Sequence, residues 1–258
     1  MGLKKAFLTV SVLSASLNAH ATLTSYTGAG GVGLVYSSVS DVTWTHDASL
    51  FKTLYDSDNA LILKIASVTP LYNDPVFGLQ TIDSHDFNTT MGTMSWWAAN
   101  AFVSYLRSIS FGGSNQWRLP EAGSDPQIGY NQTGGEFGQL YYSELGALAY
   151  PGTNGTDFGI LGDGQVVTSG SVGPFLNAQT YGYWFGTEYS PSRNWTWTFH
   201  TNSGHQNINA FRDPQYYVWP VSAGRVAAVP LPAASWLMIT GLLGLFGRNN
   251  LKVSNRAI

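Results

Sequence analysis

The sequence predicts an α+β domain with helices early and antiparallel strands late. Three observations carry this. Residues 95–109 repeat their apolar side chains at three- and four-residue steps, the period of an amphipathic helix. The segment NWTWTFH in the last third alternates strictly, with Trp195, Trp197 and Phe199 facing one way and Thr196 and Thr198 the other. No regular strand–helix succession runs along the chain, so a parallel doubly wound sheet is not expected.

Taken in order, the chain starts with a processing segment. MGLKK is a short basic start, and AFLTVSVLSASL is apolar but too short to span a bilayer. Ala19 and Ala21 place small residues at the two positions a signal peptidase reads. Residues 1–21 therefore read as a signal peptide, and the mature chain starts at Thr22. Residues 22–32, rich in Gly, Ser and Thr, read as a flexible lead-in. Leu34–Tyr36 and Val42–Thr45 form a hairpin around a turn-prone Ser-Ser-Val-Ser-Asp. DASLFKTLY and NALILKIA are helix-like, each opened by an Asp or Asn.

In the helix predicted over 95–109, Ser95 is the N-cap. Ala99, Phe102, Val103, Leu106 and Ile109 form its apolar face, and FGGS ends it. A weaker helix follows in EFGQLYYSELGALAY, with Phe137, Leu140, Tyr141, Leu145 and Leu148 on one side. The stretch after residue 150 is loop. YGYWFGTEY, NWTWTFH and HQNINAF read as strands, the last two joined by a TNSG turn. YYVWPVS is a final strand, with Pro220 near its exit.

Composition narrows the function classes. Of 258 residues only 10% are charged, while 14% are aromatic. All 15 acids lie between Asp41 and Asp213, whereas five of the 12 bases sit near the chain ends. The seven bases left against 15 acids give the middle a net charge of −8. Phosphate binding needs a basic patch, so nucleic acid is not an expected partner. The chain has no cysteine, which excludes disulfides, thiolate nucleophiles and Cys-ligated zinc.

Five blocks carry a family resemblance: DVTWTHDASLF, WWAANAFVSYLRSISFGGSNQWRLPEA, SELGAL, GPFLNAQTYGYWFGTEY and YYVWPVSAGRV. Their order resembles bacterial Lcl C-terminal-like domains, a family of unknown function. The resemblance covers about residues 33–225, and NQWRLP and YWFGTEY are its most specific motifs. It implies a single domain related in fold to the formylglycine-generating enzyme and the C-type lectins. The enzyme's chemistry does not follow, because that activity works through cysteines. The lectin motifs Glu-Pro-Asn and Trp-Asn-Asp are both absent, so calcium-dependent sugar binding has no motif behind it and no cofactor is expected.

On physical grounds, Trp117 and Leu119 of NQWRLP are buried on one side of a strand, and Pro120 ends its pairing. Arg118 is matched with a carboxylate such as Glu188. His200 and His205 flank TNSG, so a four-residue turn sets them opposite each other, the sharpest metal hint in the chain. Two histidines without a third ligand are ordinarily surface polar residues, and no metal is assigned. Asp83, His85 and Asp86 cap a turn. Asn88, Asn131, Asn154 and Asn194 each fit N-x-[ST] and read as loop residues. No catalytic residue is identified: G-x-S-x-G, H-E-x-x-H and P-loop signatures are missing. A carboxylate pair of the glycosidase kind remains open, with no motif to single one out.

The apolar run Ala233–Phe246 has 14 residues, short for a bilayer span of ~20 residues. Arg248, Lys252 and Arg256 after it fit a cytoplasmic end. The motif Val229, Pro230, Leu231, Pro232, Ala233, followed by the apolar run and Arg248, resembles a PEP-CTERM sorting signal. That resemblance, over roughly 229–248 within a tail of 226–258, implies transient membrane insertion and cleavage by an exosortase. It places the protein at the surface or in the extracellular matrix of a Gram-negative cell, with a membrane-retained form as the alternative. A single Arg248 replaces the usual tight Arg cluster.

The reading that follows is an exported, non-enzymatic protein that binds glycan, exopolysaccharide or another surface partner. Trp184, Glu188, Tyr189, Trp195 and Trp197 form its expected binding face. An exported polysaccharide hydrolase and a purely structural matrix protein are the alternatives.

Overall fold

In the computed structural model, residues 22–164, 166–190, 192, 194–209 and 214–228 are described. The signal-peptide positions Ala19 and Ala21 and the sorting residues Val229, Pro230, Leu231, Pro232, Ala233 and Arg248 lie outside them. No helix among the described residues is long and apolar enough to cross a membrane.

Strands β1 (Leu23–Thr27), β2 (Gly33–Ser37) and β3 (Val42–Thr45) form an antiparallel meander. The expected hairpin is there, and Asp41 turns it with a φ of +51°. The flexible lead-in is corrected: residues 23–27 pair along their whole length with β2. Two further short strands, β8 (Trp117–Arg118) and β14 (Val221–Ala223), complete a five-stranded antiparallel sheet in the order β1-β2-β3-β14-β8. Pro220 precedes β14 instead of closing it. Its carbonyl accepts from Thr45 N, a ladder position that needs no donor from proline.

Neighbouring Leu34 and Val35 point to opposite faces of this sheet and so belong to different cores. Leu34 packs with α1 (Leu50–Ser57), α2 (Leu61–Val68) and α3 (Trp96–Ser108). Ser95 caps α3, its Oγ accepting from Ala98 N, as its position predicts. Ala99, Phe102, Val103 and Leu106 are buried, but Ile109, one residue past the helix, is about half exposed. Small two-stranded pairs, β4 (Leu71–Asp74) with β5 (Gly78–Thr81) and β6 (Phe87–Asn88) with β7 (Thr93–Met94), flank this layer.

Val35 and Trp44 face the second core. It is covered by the three-stranded antiparallel sheet β11 (Gly182–Glu188), β12 (Thr196–His200) and β13 (His205–Asn209). The pair β9 (Ser169–Val172) and β10 (Phe175–Gln179) stands beside it. The weaker predicted helix is a short turn, Glu136–Gly138, running into one π-helical turn, Gln139–Glu144. Phe137, Leu140 and Tyr141 are buried there, but the chain leaves the helix before Leu148. Buried indoles tie the layers together because each N–H needs an acceptor. Trp96 Nε1 donates to Phe185 O at 2.8 Å, Trp184 Nε1 to Met94 O at 2.8 Å and Trp219 Nε1 to Thr45 O at 3.0 Å. The architecture is mixed, with few helices and mostly antiparallel sheets.

Candidate functional site

The site is built where β11 stops being a core strand. Trp184 pairs with Thr198, but the next paired position is Glu188 with Thr196. Three residues, Phe185–Thr187, therefore stand opposite the single Trp197. Such a bulge bends its strand and re-aims the side chains beyond it. Gly182–Phe185 are buried, whereas Gly186–Glu188 and Tyr189 reach solvent.

A cleft of about 680 Å³ opens at that exposed end. Glu188 and Tyr189 line one wall, Asp125, Gln127 and Ile128 the other, and Trp197 supplies part of the floor. Tyr189 meets Trp197 edge to face, with centroids 5.6 Å apart and planes at 69°. Trp197 is only 2% exposed, so it offers the cleft an edge while its body packs in the second core.

The 123–131 wall is irregular backbone held by many anchors. Ala122 N donates to Thr187 Oγ1 at 3.0 Å. Gly129 and Gln206 exchange backbone hydrogen bonds of 3.0 and 2.9 Å, which adds the loop to the edge of β13. Gln206 Nε2 donates to Gln127 O at 3.0 Å, and the Tyr130 ring sits 4.7 Å from His205. Gly123 starts the wall at φ +97°, where a Cβ would stand 2.5 Å from Gly134 O. The other wall is tied to the start of β12: Tyr189 N donates to Trp195 O, and Trp195 N to Ser192 O.

The expected binding face is thus divided. Glu188, Tyr189 and Trp197 meet at the cleft. Trp184 does not join them: it lies before the bulge, fully buried, with its N–H bound to Met94 O. Trp195 is half-buried in the turn behind Tyr189 and does not line the cleft. Asp125, Gln127 and Ile128 were not singled out by the sequence. Their Gly-Ser-Asp-Pro context marks a loop but carries no chemistry of its own.

Trp117, Leu119 and Pro120 are buried as the motif predicts. Arg118, however, pairs with Glu136, not Glu188. Its Nη1 and Nη2 donate to the two carboxylate oxygens at 2.8 and 2.6 Å. Glu136 also accepts from Glu121 N, so the pair locks the strand exit to the helical turn.

His200 and His205 face each other across β12 and β13, in the register the turn predicts. Burial, with His205 opposite, holds the His200 imidazole down to about 4, and burial also lowers His205. Both rings are neutral near pH 7, and among the described residues His200 Nε2 is buried without a hydrogen-bond partner. No three His, Cys, Asp or Glu side chains come together as a metal group among the described residues. Asp83, His85 and Asp86 do cap a turn. Asp83 accepts from His85 N, and Asp86 accepts from Ser95 Oγ.

Comparison with protein-family models, curated proteins and solved structures finds no match.

Proposed function

We propose that this chain is an exported, non-enzymatic binding module of the cell envelope or extracellular matrix, and that the cleft at the end of β11 takes a glycan. The observation that carries this reading is the meeting of Tyr189 and Trp197 with Asp125, Gln127 and Glu188 in one open cleft. Aromatic faces pack on the C–H face of a sugar ring, and planar polar side chains bond its hydroxyls. The export reading rests on the signal-peptide and sorting-signal resemblances at the two ends. The lectin-like relationship rests on the five blocks quoted above. Exosortase and signal peptidase are partners only during export.

The test is binding of the full chain to the exopolysaccharide of the producing cell, with calcium and with a chelator. Saturable binding in both conditions is the expected result. Loss with chelator would reveal a metal requirement, and no binding in either would remove the glycan reading.

One observation favours a second reading. Asp125 and Glu188 are two carboxylates lining one cleft, the equipment of a glycoside hydrolase. Release of reducing ends from the polymer, abolished by Glu188→Gln, would replace the binding module with an exported hydrolase.

A further inference from the structure

The cleft continues past Thr187. A second depression of about 420 Å³ shares Gly123 and Thr187 with it and is also open to solvent. Its walls are Asn100 and Arg107 from α3 and Arg118 and Glu121 from the exit of β8. Thr187, in the bulge of β11, borders both depressions, and its neighbour Gly186, exposed and without a side chain, lines the second. Gly186 N donates to Pro120 O at 2.8 Å, so this stretch of backbone is fixed to the strand exit beneath it.

We propose that the two depressions form one groove that holds several consecutive sugar units of an extended polysaccharide. This rests on the glycan reading and deepens it by naming the length and form of the ligand. Three features support a chain ligand. The first cleft alone, at about 680 Å³, exceeds what one sugar ring fills. The groove is open along both halves, so a polymer enters without threading an end. Its contacts also differ along its length. Tyr189, backed by the Trp197 edge, offers one stacking position, while Asn100, Arg107 and Glu121 offer only hydrogen bonds. Affinity then accumulates with chain length, because each added unit finds new polar partners on a fixed surface.

The geometry also supplies the blocking variant. A Cβ at Gly186 stands 3.3 Å from Leu119 Cβ, a contact that a small shift relieves, and Gly186 is not in a left-handed conformation. Gly186→Trp therefore puts an indole into the second depression, beside Thr187, while keeping the strand.

The experiment is a calorimetric titration of the full chain with size-fractionated oligosaccharides, from disaccharide to hexasaccharide. They come from partial acid hydrolysis of the producing cell's exopolysaccharide. In the wild type, affinity rises at least tenfold from disaccharide to hexasaccharide. Gly186→Trp removes that gain and leaves disaccharide binding unchanged. Should that variant fail to fold, Arg107→Ala at the exposed end of α3 serves instead, weakening the hexasaccharide about threefold and the disaccharide not at all. Equal affinity at every length, or a gain that survives in folded Gly186→Trp, overturns the groove while leaving the glycan reading in place. No binding at any length overturns both.

Discussion

The two halves of β11 differ more than most separate strands do. Gly182–Phe185 are buried, the first three pair regularly with β12, and Trp184 meets Tyr216 with ring centroids 4.7 Å apart. Gly186 and Thr187, in the three-against-one bulge, and Glu188 after it reach solvent, and Thr187 and Glu188 line the cleft. Seven residues thus change from packing to presentation within one strand. Aromatic residues a few positions apart serve different ends: Trp184 holds two layers together, and Tyr189 stands in the cleft wall. Composition does not distinguish them. Register does.

The largest effect should come from breaking the buried half. Trp184→Ala removes a fully buried indole and one of the two donors to Met94 O, which keeps Tyr216 N, so denaturant unfolding should show a loss of about 4 kcal/mol. A loss under ~1 kcal/mol would place Trp184 outside the core.

The hairpin behind the cleft wall should respond to pH. The His200 pKa lies below its ordinary value, so the unfolded chain binds more protons than the folded one between pH ~6.5 and about 4. Its contribution is complete above pH ~6.5 and fades as pH falls through that window, by up to about 3 kcal/mol. Urea midpoints measured from pH 7 to 4 should fall accordingly, and His200→Phe should flatten the slope. An unchanged slope in that variant would remove His200 as its source.

A smaller cost is expected at the pair that ties the strand exit to the helical turn. Arg118→Met strands Glu136, whose side chain is 12% exposed, at about 2 kcal/mol. The value sits below that of a fully buried pair because the Arg118 side chain keeps 30% exposure. Adding Glu136→Gln should recover part of it in a double-mutant cycle. Full additivity of the two changes would deny the coupling.

The smallest stability effect belongs to the presenting half. Tyr189→Ala loses one edge-to-face contact, about 1 kcal/mol, yet should remove most glycan binding. Trp197→Ala is the poorer probe, because that residue belongs to the core as well as to the cleft.

Regular pairing and helical periodicity were legible in the sequence. Alternation announced β12, the turn-prone Ser-Ser-Val-Ser-Asp announced the β2–β3 hairpin, spacing announced α3 and its Ser95 cap, and the TNSG turn set His200 opposite His205. What needed contacts distant in sequence was not legible. β1 reads as a polar lead-in because its pattern acquires meaning only beside β2. Arg118 has many carboxylates to choose from, and only the fold brings Glu136 to it. The site was half legible. Glu188, Tyr189 and Trp197 stand out as aromatic and acidic residues at a strand end, but alternation cannot reveal a bulge, so the sequence alone does not separate Trp184 from them. The 123–131 wall has no period to read, since its shape comes from anchors on β13 and the helical turn.

The most direct measurement is a titration of the producing cell's exopolysaccharide into the wild-type chain and into a Glu188→Gln, Tyr189→Ala variant, with melting temperatures recorded for both. Saturable binding by the wild type is expected, weakened at least tenfold in a variant that melts within a few degrees of it. Equal binding by both proteins, or none by a folded wild type, would contradict the claim that the exposed end of β11 is a glycan site.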